Sequence, residues 1–299
     1  MRLDDFDPDS IDVEDQRGSG GGFGSGGLFG LPLLLLGSGR FGLGGLILLV
    51  VLALVFRVSP TQMLAGDGVG GALPGQAGAA SGSNTRESCT VDAASREACN
   101  ALSSLNKTWQ PLLRQQGIDT ARPGLVFYSQ RGQSGCGAAQ SAMGPFYCPG
   151  DSKIYLDTDF FRQMDEELGA GGQFARDYVI AHEYGHHIQN LTGISDHVRQ
   201  LQESQPGAAN PLSVKLELQA DCLAGVWAGI NRNRIDPGDV ESGMKAAHQI
   251  GDDALMKSAG RAPVEAAFTH GSSAQRMAWL RKGIETADPA ACDTFGASS

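Results

Sequence analysis

Apolar residues recur at helical spacing through Phe174, Tyr178, Ala181, Ile188 and Leu191, in steps of three, four and seven, and Gly193 follows as a stop. The pattern predicts an amphipathic helix over this stretch. A second segment, Pro211 to Trp227, is apolar on most of its circumference, with Asn210 as a good N-cap and Pro211 as a good first helical residue; it predicts a mostly buried helix. Upstream, a helix is expected over 94–116 and short β runs at Leu125–Tyr128 and Lys153–Asp157, with helices filling most of the remainder. Small sheet first and helices after defines an α+β class that is mostly helical.

The N-terminal part follows another pattern. Residues 1–40 pass from an acidic, polar tail into glycine-rich sequence, too poor in apolar residues to form a core, so disorder is expected. No charge occurs from Phe41 to Phe56, between Arg40 and Arg57. At 1.5 Å per residue this run spans about 24 Å, and with snorkelling arginines it reads as one transmembrane helix over 41–57. Residues 58–88, rich in Gly, Ala, Ser and Pro, read as a flexible linker, leaving 89–299 as the folded domain. The chain has 299 residues, 41% of them hydrophobic, which suffices for one sizeable domain.

Chemistry enters at Ala181-His-Glu-Tyr-Gly-His-His-Ile188. His182 and His186 lie one turn apart on one helix face, so both imidazoles can reach a single zinc ion, and Glu183 sits beside the position where a water would bind. Catalytic zinc usually has three protein ligands plus water, so a third ligand is needed. The metzincin continuation is excluded, because Gln189 stands where its glycine belongs and Thr192 where its histidine belongs.

Glu217 is the better candidate. It shares a helix face with Asp221, and two carboxylates on an apolar helix are costly unless paired or metal-bound. Glu217 would bind the ion while Asp221 accepts the second N–H of a ligand histidine. Glu203 is a weaker alternative in a polar stretch. Gly185, inside the first helix, costs roughly 1 kcal/mol relative to alanine, which points to close approach by the helix carrying the third ligand.

These segments resemble the neutral zinc metallopeptidase family of bacterial single-span membrane proteins, related to the gluzincins. Besides His-Glu-Tyr-Gly-His-His and Glu-Leu-Gln-Ala-Asp221, the resemblance takes in Gly135-Cys-Gly137, Gly144-Pro-Phe-Tyr-Cys-Pro149, Ile154-Tyr-Leu-Asp157, Phe268-Thr-His-Gly-Ser-Ser-Ala-Gln-Arg276 and Val13-Glu-Asp-Gln-Arg-Gly18. It implies a zincin-like metallopeptidase domain, zinc on His182, His186 and Glu217, and Glu183 as catalytic base. His270 and Arg276 are candidates to stabilise a developing oxyanion or hold substrate, just before a helix that Ser272 or Ser273 would cap. By analogy with zincins, Ile154–Asp157 or Leu125–Tyr128 is the strand to which a substrate backbone adds.

All six cysteines, Cys89, Cys99, Cys136, Cys148, Cys222 and Cys292, follow the apolar run. Proximity favours Cys89–Cys99 and Cys136–Cys148, which leaves Cys222–Cys292, and disulfides imply an extracytoplasmic domain. A net charge of −10 and the absence of a P-loop lysine argue against nucleic-acid and nucleotide binding. The expectation is a membrane-anchored zinc endopeptidase acting on peptides or proteins at the cell membrane. Its alternatives are a latent zinc-containing envelope module and a zinc hydrolase of a non-peptide amide or ester.

Overall fold

A computed structural model describes residues 1–17, 85–140, 143–166 and 171–296. Strand β1 (Asp12–Asp15) opens the chain, followed by a single helical turn α1 (Thr85–Ser88) and the long helix α2 (Ala93–Gln115). Asp92 caps α2 by accepting from the Ser95 amide. Five strands follow: β2 (Gly124–Tyr128), β3 (Arg131–Ser134), β4 (Gly137–Gln140), β5 (Phe146–Cys148) and β6 (Lys153–Asp157). Helices α3 (Thr158–Glu166), α4 (Gln173–Leu191), α5 (Ile194–Ser204), α6 (Ala209–Ile230), α7 (Asp239–Gln249), α8 (Asp252–Ser258) and α9 (Ser273–Thr286) complete it. The α+β, mostly helical expectation holds.

The main sheet runs β1-β2-β6-β5, parallel except for β5, which is antiparallel to β6. Leu125–Tyr128 and Ile154–Asp157 are buried throughout, as expected for strands covered on both faces. Both are interior, so neither can accept a substrate strand; among the described residues the edges are β1 and β5. The β3–β4 hairpin is separate, and Cys136–Cys148 fastens it to β5. Cys89–Cys99 and Cys222–Cys292 are the other bridges.

The first 17 residues correct the sequence reading. Met1, Leu3, Ile11 and Val13 are buried in the main core, and β1 pairs along β2 from Asp12↔Gly124 to Asp15↔Phe127. Alternation of apolar and acidic residues at 11–15 supplies that strand. Arg17 bonds to Asp15, Asp92, Ser95 and the Ser88 carbonyl and lies over the Phe127 ring, so it ties the end of the N-terminal segment to α1 and the start of α2. A single crossing at 41–57 would put β1 and β2 on opposite sides of a bilayer, yet they are sheet neighbours. Among the described residues, moreover, no helix is long and apolar enough to cross a membrane. The single transmembrane helix and single-pass membrane location are therefore withdrawn; residues 41–57, like most of the expected tail and linker, lie outside the described residues.

Helix packing then places the site. A side-chain carbon at Gly185 of α4 would lie 2.9 Å from the Cα of Ala220 in α6, so the glycine answers the close helix contact expected from its position. Helix α9 approaches α6 still more closely, and a carbon added at Gly283 would overlap the Cys222 carbonyl. Helix α6 begins at Ala209, and Asn210, instead of capping it, donates to the Ala266 carbonyl.

Asp177 of α4 is fully buried, and neither carboxylate oxygen has a hydrogen-bond partner. Burial, reinforced by Glu97, raises its pKa well above the ordinary carboxylate value of 3.8. An acid with a raised folded-state pKa costs nothing below its unfolded pKa and destabilises progressively as pH rises above it. Stability should therefore fall from pH 4 upward relative to Asp177→Asn, measured by urea unfolding across that range; parallel curves would contradict this. Gly283→Ala should lower stability by about 1–3 kcal/mol in the same assay, the usual cost of overpacking.

Candidate metal centre

Helix α4 carries His182 and His186 one turn apart, and α6 brings Glu217 against them. His182 Nε2 lies 3.2 Å from Glu217 Oε2, and His186 Nε2 lies 3.6 Å from Glu217 Oε1. One ligand atom from each residue falls within 4.8 Å of the other two. Two ligands at about 2.0–2.1 Å from a tetrahedral zinc stand about 3.4 Å apart, so the donor set fits zinc. Glu203, the alternative ligand, is exposed near the end of α5.

Electrostatics also fit a cation. Burial opposes charge on His182, but the Asp221 charge and hydrogen bonds to Asp221 and Glu217 raise its pKa to about 10. Burial would raise Glu217, yet the neighbouring His186 and the hydrogen bond from His182 hold it far below its ordinary range. The acids thus draw positive charge to the point between the imidazoles and Glu217, and a divalent ion there would displace the proton. Glu183 is buried beside them; desolvation raises its pKa, opposed by both imidazoles and by a hydrogen bond from the Tyr147 backbone amide of β5.

Behind the donors, Asp221 is completely buried. Its Oδ1 accepts from His182 Nδ1 at 2.8 Å and from the Tyr178 hydroxyl at 2.6 Å. Arg276 donates through Nε to Oδ2 and through Nη2 to Oδ1, each at 2.9 Å. With the Nδ1 proton committed to Asp221, His182 presents Nε2 to the centre, the arrangement expected of an outer carboxylate partner. Arg276, suggested from sequence as an oxyanion or substrate group, is buried in this ion pair and does not face a substrate. Tyr178 was missed, although it stands one turn before His182 on the same helix.

His270 takes a different position. Its side chain is 42% exposed, and its Nδ1 pairs with Asp252 Oδ1 at 3.2 Å. Asp252 Oδ2 meanwhile accepts three successive backbone amides, from Thr269, His270 and Gly271, at 2.7, 2.7 and 3.0 Å. Burial would lower the His270 pKa, but Asp252 and the charge of Glu217 raise it. Ser272, as expected, caps α9, in a reciprocal box with Gln275. Asp252, 18 residues before His270, gave no local spacing from which to find it.

His187 is structural. It is buried, bonded to the Ala121 carbonyl at 2.8 Å and to the Tyr147 hydroxyl at 3.1 Å, and desolvation lowers its pKa to about 4. The buried Tyr184 donates to Asn106.

Helix-borne His-Glu-x-x-His with an acid from a second helix defines a zinc-metallopeptidase type of site. Residues 4–295 match the family described as "Putative neutral zinc metallopeptidase", and the chain belongs to that family. Relatives include the uncharacterized protein YpfJ of Escherichia coli K12, 42% identical over 296 residues and 97% of each chain. Another is the uncharacterized protein Rv2575 of Mycobacterium tuberculosis H37Rv, 42% identical over 209 residues, covering 65% of this chain and 68% of that one. No solved structure matches the chain, so a zincin-like fold is not shown and the likeness to zincins rests on the motif.

Removing one partner of a buried ion pair typically costs about 3–5 kcal/mol. Arg276→Met should destabilise the zinc-free protein by that amount in denaturant unfolding, with Arg276→Lys restoring only part of it. A change below about 1 kcal/mol would show that Asp221 does not depend on the arginine.

Proposed function

We propose that this protein is a zinc-dependent endopeptidase, with His182, His186 and Glu217 as ligands and Glu183 as general base. The observation that carries the reading is the convergence of the three donor atoms with Glu183 buried against them. Zinc bound there supplies a water with its pKa lowered toward 7 and polarises a substrate carbonyl.

Glu183 takes the proton of the attacking water and returns it to the leaving amine. A carboxylate beside the bound water can take the proton in one step and release it in the next. His270 in its imidazolium form, which Asp252 favours by accepting from Nδ1–H, offers Nε2–H to the oxyanion developing on the substrate carbonyl. An extended substrate would add to β5, the last strand of the described sheet on this side, whose Tyr147 amide bonds Glu183. Asp221 and Tyr178 orient His182 and stay out of contact with substrate.

The test is cleavage of a mixed peptide library by the zinc-loaded full chain and by Glu183→Gln. Chelator-sensitive cleavage is expected, reduced about 10²–10⁴-fold in the variant, the usual range for a general base, with zinc content unchanged. Stoichiometric zinc with no cleavage by the wild type would overturn the reading.

A further inference from the structure

The two histidines are held by unlike partners. Behind His182 stands a buried carboxylate with its arginine, whereas behind His186 stands a neutral amide. His186 Nδ1 lies 2.9 Å from Gln189 Oε1, one turn further along α4. The same amide donates through Nε2 to the Leu216 carbonyl at 2.8 Å and to Gln219 Oε1 at 3.1 Å. Gln219 Nε2 in turn donates to the carbonyl of Cys292, which a disulfide joins to Cys222 of α6. Gln189 and Gln219 are both buried.

Each amide in this relay has its orientation fixed at both ends. The Leu216 carbonyl accepts only, so Nε2 of Gln189 must face α6 and Oε1 must face His186. Opposite an acceptor, His186 carries its proton on Nδ1, and the Nε2 lone pair points toward Glu217. The Leu216 carbonyl belongs to the residue preceding Glu217, so one side chain touches a ligand on α4 and the backbone beside a ligand on α6. Neutrality matters as well. Glu183, Glu217 and Asp221 already place three carboxylates around the centre against Arg276, and a fourth acid behind His186 would add like charge in a buried site.

We propose that Gln189 is a positioning residue of the zinc centre: its amide fixes the His186 tautomer and ties it in register with Glu217 across the α4–α6 contact. The inference rests on the zinc reading above. Gln189 touches no substrate and acts only through His186 and the α6 backbone.

Zinc affinity of the full chain, measured by competition with a chromophoric chelator, provides a readout independent of activity. Gln189→Met should bind zinc about 10–100-fold more weakly than wild type, the range for loss of an outer partner, while zinc-free Gln189→Met still unfolds cooperatively. A second measurement needs no variant. In the zinc-loaded wild type, imidazole ¹H–¹⁵N spectra should show His186 with a slowly exchanging Nδ1–H. Unchanged affinity in a folded Gln189→Met, or a rapidly exchanging Nδ1–H in the wild type, would overturn the proposal. Failure of the wild type to bind zinc would instead overturn the zinc reading itself.

Discussion

Asp221 is the charge around which this domain is assembled. A charged carboxylate with no exposure is costly unless it is paired and hydrogen-bonded, and the partners of Asp221 come from separate elements: Tyr178 and His182 from α4, Arg276 from α9. Three helices must therefore meet at one point. Glycines at 185 and 283 let them do so by removing the side chains that would hold α4 and α9 away from α6. Once they meet, Glu217, one turn before Asp221 on α6, falls against the two imidazoles. The ligand triad is a consequence of satisfying the acid behind it.

Much of this was legible because it was local. His182, Glu183 and His186 are fixed by helical spacing, and the Glu217–Asp221 pair stood out as two acids on an apolar helix. Gly185 announced a close helix contact through its unfavourable propensity, and sequence separation alone suggested all three disulfides. Interactions between distant segments were not legible. Arg276 reads either as a substrate-side cation or as the partner of some acid, and Asp221 emerges as that acid only when α9 is docked; Asp252 reads as an ordinary acid until the 269–271 loop folds onto it. Gln189 entered the sequence reading only as the residue that excludes another metallopeptidase class.

The N-terminal segment failed for a different reason. A short strand of alternating acidic and apolar residues has too little apolar surface to be recognised as part of a core, and it becomes one only because β2 offers a free parallel edge. That pairing also removes the topology in which one apolar run carries the chain across a membrane. The β5 edge emerged in the same way, since strand order cannot be read from hydropathy.

The central claim is a zinc centre built from two imidazoles and one carboxylate. X-ray absorption at the zinc edge of the zinc-loaded full chain tests it most directly. The account predicts a first shell of nitrogen and oxygen with two imidazoles, and loss of one protein oxygen ligand in Glu217→Ala. Sulfur in the first shell, or a spectrum unchanged by Glu217→Ala, would contradict it.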